Sequence, residues 1–196
     1  MYDTYKAYPW SRWMKWGVIG LIILIVLGIS GNTYNGLVQA EQKVRSSWSQ
    51  VENVMRSRAD KINNLVETVK GYIKHEEEVF GKVAEARSVL MSNSDDIKDK
   101  LKADSELTNA TRDILVLVEN YPELKASEQF IYLQEAIEGA ENRVSVARKD
   151  FIEAVEAYNT KVSRFPGNIF ARLMGFKPMD YFEADSNAHE VPKVEF

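Results

Sequence analysis

Hydrophobic positions fall into two unlike patterns along this chain. From Trp16 to Ser30 the residues read WGVIGLIILIVLGIS, apolar on every side, and no side chain charged at pH 7 stands between Lys15 and Glu41. A helix that touches water keeps one polar face, so a helix apolar all round requires lipid or a very large core. The strictly apolar run is about 15 residues, short of the roughly 20 that cross the hydrocarbon. Asn32, Thr33 and Tyr34 extend it at the far interface, and slight thinning or snorkelling covers the rest. The pattern predicts a transmembrane helix over 16–34, preceded by a short segment, 1–15.

Beyond residue 37 the apolar positions narrow to a stripe. Alternating strides of four and three from Val44 land on Val44, Trp48, Val51, Met55, Arg58, Ile62, Leu65, Val69, Tyr72, Glu76, Val79, Val83, Ala86 and Leu90, with Arg58 and Glu76 as the only non-apolar members. A second seam runs through Phe130, Leu133, Ile137, Ala140, Val144, Ala147, Phe151, Ala154, Tyr158 and Phe165, interrupted once by Lys161. Seams of this period face other helices. Between them a shorter helix, Asp96 to Tyr121, starts at the polar Ser92–Asp96 turn and stops at Pro122. No period-two strand pattern occurs.

The expected fold is therefore all-α: an N-terminal transmembrane helix followed by a long antiparallel three- to four-helix bundle over 35–176, then an extended acidic tail, 177–196. One helix over 37–90 would be about 80 Å long, longer than any partner. A bend is expected at Asn63 and Asn64. Gly28, Gly31 and Gly36, all of low helix propensity, mark an expected hinge between stalk and bundle.

Charge sets a direction. Lys6, Arg12 and Lys15 precede the apolar run against Asp3 alone, so the N-terminus is expected in the cytoplasm and the bundle outside it, in a single-pass protein of the cell membrane. Trp10, Trp13 and Trp16 recur every third residue, which places three indoles as a membrane anchor at headgroup depth. Gly28 and Ser30 are also spaced as a signal peptidase accepts, but a long charged leader bearing three tryptophans favours an uncleaved anchor. Removing the basic Lys6, Arg12 and Lys15 and the acidic Asp3 from the totals of 25 and 29 leaves 22 and 28, a net charge of about −6. That balance opposes nucleic acid and anionic lipid as partners of the bundle as a whole. The absence of cysteine suits an oxidising compartment.

The segment Trp48 to Glu76, WSQVENVMRSRADKINNLVETVKGYIKHE, with AEARS at 84–88, resembles the signature of the bacterial LemA family. Tyr34-Asn35, Tyr158-Asn159, FPGN at 165–168, Gly175-Phe176, Tyr181-Phe182 and the closing Pro192, Val194 and Phe196 extend the resemblance over about residues 32–196. It implies a single-pass membrane protein with an antiparallel helical bundle outside the cytoplasm and no established enzymatic activity. Ser57-Arg58 stands where the family usually has paired arginines. Lys61-Ile62-Asn63-Asn64 replaces a Leu-Ile-Pro-Asn run, and Asp150-Phe151 an earlier Tyr-Asn. Loss of that proline removes a helix breaker.

Within and beside the seams, Arg58, Asn64, Glu76, Arg87, Glu141, Arg143, Arg148 and Asn159 form a candidate polar network. Buried charges require partners, so such a network sets helix register; a small-ligand site or an active site is the rival use. His75 beside Glu76, Glu77 and Glu78 lacks a second histidine at helical zinc spacing, so no metal is expected. No phosphate loop, nucleophile elbow or Cys/His pair is present, and neither catalytic residues nor a cofactor are expected. After Phe165, Pro166 ends the second seam and Gly167-Asn168 turns the chain into an amphipathic helix, NIFARLMGF. Phe165, Pro166, Phe170, Met174 and Phe176 either close the bundle end or dock a partner or the membrane surface. The expected partners are the bilayer and a protein of the membrane or envelope, with self-association as a further option.

Overall fold

The computed structural model describes residues 10–73, 76–93 and 96–181, with side chains from Trp13 onward. Six helices account for it: α1 (Trp10–Lys70), α2 (Glu77–Met91), α3 (Ile97–Val118), α4 (Pro122–Lys125), α5 (Glu128–Ser163) and α6 (Gly167–Met174). No strand occurs among the described residues. The chain divides into two compact units, one formed by Arg45–Glu153 and the other by Met1–Val44 with Ala154–Phe196.

The Arg45–Glu153 unit is a four-helix bundle. Val51, Met55, Ile62, Leu65 and Val69 of α1 are fully buried, as are Val83, Ala86 and Leu90 of α2, and Leu107, Ala110, Ile114 and Val118 of α3. Phe130, Leu133, Ile137, Ala140, Val144, Ala147 and Phe151 line the inner side of α5. Arg87 of α2 bonds Asp60 and Arg56 bonds the carbonyls of Leu90 and Ser92, so α2 runs antiparallel to α1. Glu52 meets Lys100 and Arg58 meets Asp104, so α3 runs parallel to α1. The Trp48 and Phe151 rings meet edge to face at 5.5 Å, while Asn64 and Thr68 share a groove with Glu128 and Leu133, so α5 is again antiparallel to α1. Asp96 caps α3, accepting from the amides of Lys98 and Asp99. One turn of helix begun by Pro122 joins α3 to α5, with Leu124 buried beneath it.

The bend expected at Asn63 and Asn64 is absent. Here α1 continues to Lys70, because Ile62, Leu65 and Val66 around the asparagines are all buried. Each such side chain contributes about 1.5–3 kcal/mol, more than the roughly 0.7 kcal/mol of helix propensity an asparagine forfeits. Thr68 Oγ1 also donates to the Asn64 carbonyl. The long first stretch breaks instead at Gly71, where the amides of Gly71, Tyr72 and Ile73 fold back onto the carbonyls of Thr68 and Val69. Tyr72, counted in the seam, is consequently exposed. Gly28, Gly31 and Gly36 likewise do not interrupt α1: all three are helical, with open space where a side chain would stand.

In the second unit the apolar part of α1 stands bare. Its large side chains from Trp13 to Ile29 are exposed, and it is the one helix among the described residues long and apolar enough to cross a membrane. Further along, Leu37, Ala40 and Val44 are buried, as are Ala154, Val155, Tyr158 and Val162 of α5 and Ala171 of α6. Lys161 Nζ donates to the Gly36 carbonyl at 3.2 Å, fixing α5 beside α1.

Candidate functional site

Three helices of the bundle bring charges together in its interior. Arg58 of α1, 3% exposed, donates through one guanidinium nitrogen to both oxygens of Asp104 on α3, at 3.1 and 3.2 Å. Its other terminal nitrogen donates to Thr108 Oγ1, and that hydroxyl donates to the Asp104 carbonyl at 2.9 Å. Arg148 of α5 reaches the same carboxylate at 2.7 Å. About one turn earlier on α3, Lys100 is buried on Glu52. Burial pushes the Asp104 carboxyl above its ordinary range, against the pull of Arg58 and then Arg148, and the charge of Glu141 adds to the rise.

This arrangement joins α1, α3 and α5 through one aspartate. Removing Asp104 would leave the buried Arg58 charge unmatched, at a cost of about 3–5 kcal/mol. The cluster therefore ties the three helices at one point. Arg58 Nε and Arg148 Nε are buried without a protein acceptor, the one part of the cluster left unsatisfied among the described residues.

The structure redistributes the expected network. Arg58 and Arg148 meet on Asp104, but Asn64, Glu141 and Arg143 are exposed on outward faces. Arg87, half-buried, pairs with Asp60 at 3.0 Å rather than with the interior. Glu76 stands just before α2, where the chain has already left α1, and its side chain makes no capping bond. Asn159 belongs to the other unit and bonds Met179 there. Asp104 and Lys100, absent from the expectation, carry the interior charge. A stripe drawn along α3 through Lys100, Asp104, Leu107, Thr111 and Ile114 would have found them, since all five are on its inner side.

The tail region forms a second constellation. Asn159 donates to the Met179 carbonyl and accepts from the Met179 amide, both at 2.8 Å, so one amide side chain imitates a neighbouring strand. Tyr158 donates to the Lys177 carbonyl at 2.9 Å, and its own pKa is raised by burial and then by the charge of Glu41. These adjacent residues pin 177–179 along α5. Gly167 fits where it does because a Cβ there would lie 2.4 Å from the Lys161 carbonyl oxygen. At the other end of α6, Gly175 adopts φ +81°, and the Phe176 amide closes onto the Ala171 carbonyl. Of the docking candidates, Phe165, Pro166 and Met174 are exposed and Phe170 and Phe176 half-buried. Trp13 and Trp16 are exposed, whereas the side chain of Trp10 lies outside the described residues, as do His75, His189, Pro192, Val194 and Phe196.

Two shallow grooves open between α1 and α5, lined chiefly by Arg56, Asp60, Lys61, Asn64, Glu128 and Tyr132. Neither is lined by Arg58, Asp104 or Arg148. Among the described residues no cluster of three or more potential metal ligands occurs.

The family profile of LemA matches residues 47–196, well over half the chain. Magnetosome protein MamQ 1 of Paramagnetospirillum magneticum is 24% identical over 175 residues, covering 76% of this chain and 64% of that protein. Magnetosome protein MamQ of Magnetospirillum gryphiswaldense is 21% identical over 184 residues, covering 81% and 65%. Protein LemA of Metamycoplasma hominis is 20% identical over 150 residues, covering 76% and 68%. The chain thus spans just under two thirds of the length of its magnetosome relatives. Matched over its bundle and tail by one profile, and carrying a bare apolar helix at its N-terminus, this helical membrane protein belongs to the LemA family.

Proposed function

We propose that the chain is a membrane-anchored scaffold or interaction protein of the cell envelope, without catalysis of its own. In this reading residues 16–34 cross the bilayer once, 1–15 stay in the cytoplasm beneath the Trp10, Trp13 and Trp16 anchor, and the bundle of 35–176 stands on the opposite side. The positive flank of Lys6, Arg12 and Lys15 supports that direction. The observation that carries the reading is Asp104, whose two oxygens are both taken by arginines of other helices. Charges committed to joining helices are not available to a substrate, which leaves the outer faces as the working surface.

A cysteine-free chain makes the direction testable with one substitution. In intact cells, Val146→Cys, at an exposed position of α5, should react with a membrane-impermeant maleimide. Reaction only after lysis would overturn the orientation. Proximity labelling from the bundle should return the same neighbours for the native chain and for Asp104→Asn, held below the melting temperature of the variant.

A small-anion site is the second reading, favoured by the two arginine Nε atoms that lack protein acceptors. It predicts that phosphate or a carboxylate raises the melting temperature of the native chain and not of Arg148→Met. Loss of labelled neighbours from a still-folded Asp104→Asn would move the weight to this reading.

A further inference from the structure

The segment between Glu156 and Asp180 departs from the character of the rest of the bundle. It contains no acidic residue, yet holds Lys161, Arg164, Arg172 and Lys177 in a domain whose net charge is negative. The same stretch exposes Phe165, in the turn before α6, and Ile169 and Leu173, four apart on α6, with Phe165 75% and Leu173 77% accessible. Ala171 and Gly167 occupy the inner side of α6. A short helix with an outward apolar row and basic residues beside it has the composition of a segment that lies in a bilayer interface.

Its position fixes what covers it. The Tyr34 ring and the Phe176 ring meet edge to face, with centroids 6.1 Å apart. The apolar run of α1 is centred on Ile23, and Tyr34 lies 11 residues further on. That separation is about 16 Å along a helix, against about 15 Å for half the hydrocarbon thickness. Phe176 therefore stands at the level where hydrocarbon gives way to headgroups, and α6 ends at Met174, two residues before it. Lys161, held to the Gly36 carbonyl, is two residues further along α1 from that boundary.

We infer that α6 is a second membrane contact: Phe165, Ile169 and Leu173 enter the headgroup boundary of the leaflet through which α1 emerges, and Arg164, Arg172 and Lys177 engage anionic lipid headgroups. The inference rests on α1 crossing the bilayer. Anionic lipid is opposed by the bundle as a whole, but the charge that matters at a surface is the local one, since screening confines it to about 10 Å or less. The occupant is lipid rather than protein because the row is continuous with the bilayer boundary marked by Tyr34.

Spin labels on single cysteines in the full chain test this, using one copy per nanodisc of phosphatidylcholine mixed with phosphatidylglycerol. Leu173→Cys is compared with Leu24→Cys inside the span and Val146→Cys on exposed α5. The expected ratio of oxygen to aqueous nickel-chelate collisions at 173 is several-fold above that at 146 and below that at 24. It falls toward the value at 146 in phosphatidylcholine alone. A ratio at 173 equal to that at 146, with 24 still lipid-exposed, overturns the inference and leaves the span intact. Shielding of 173 from both reagents assigns the row to protein and overturns it equally, and a ratio unchanged without anionic lipid removes the headgroup pairing. A water-exposed label at 24 fails the crossing itself.

Discussion

The two halves of α1 share one helix and use hydrophobic side chains in opposite ways. From Trp13 to Ile29 the large apolar residues are 43–78% exposed, whereas Val51, Met55, Ile62, Leu65 and Val69 are at 0 or 1%. Hydrophobicity is higher in the half that the protein does not bury. The difference lies in period: the first half is apolar at every angle and finds its partner in lipid, and the second is apolar on one stripe and finds other helices. Gly28, Gly31 and Gly36 are all helical within α1.

A charge left unmatched in the buried half should do the most damage. Asp104→Ala strands Arg58 and should lower bundle stability by about 3–5 kcal/mol, read by thermal or denaturant unfolding in detergent. A double variant, Arg58→Met with Asp104→Leu, should recover most of the loss. Next in size, Leu65→Ala should cost about 2–5 kcal/mol, while Leu24→Ala should change unfolding by no more than about 0.5 kcal/mol. Equal losses at both positions would mean that α1 is packed alike along its length.

Two changes test the tail end. Gly167→Ala forces a methyl against the Lys161 carbonyl and should cost about 1–3 kcal/mol. It should loosen α6, measured by amide exchange at Phe176, and spare the Asp104 cluster. Asn159→Ala removes both bonds to Met179 and should cost about 1–3 kcal/mol, with faster exchange at the Met179 amide.

The smallest effect concerns pH. The native Asp104 carboxyl titrates above its ordinary 3.8, so in the window between 3.8 and its higher native value the folded protein holds more protons than the unfolded chain. Stability contributed by this group is therefore greatest below 3.8 and falls as pH rises through that window. Asp104→Asn should flatten this part of the melting-temperature profile. A slope retained in the variant assigns it to another group.

Periodicity made the helices legible, because each seam position reports burial independently and their agreement over many turns leaves little freedom. Chain breaks were less legible. Asn63 and Asn64 carry weak local preferences that Ile62 and Leu65 overcome by burial, whereas α1 ends at Gly71, just after the buried Val69. The interior cluster was half visible for a geometric reason. Arg58 sits within a seam and Arg148 at the edge of one, while Glu141 and Arg143 are a few residues away yet on outward faces. One residue turns a helix by 100°, so proximity to a seam does not decide which way a charge points. Asp104 lay hidden in a mostly polar stretch, KADSELT, where only its spacing from Leu107 and Ile114 distinguishes it.

At Gly167 the turn out of α5 is closed by the lack of a single carbon atom. Substitution there is penalised by the shape of the main chain rather than by any chemistry of binding. A redesigned link with one added residue should ease that clash and lower the cost of an alanine there.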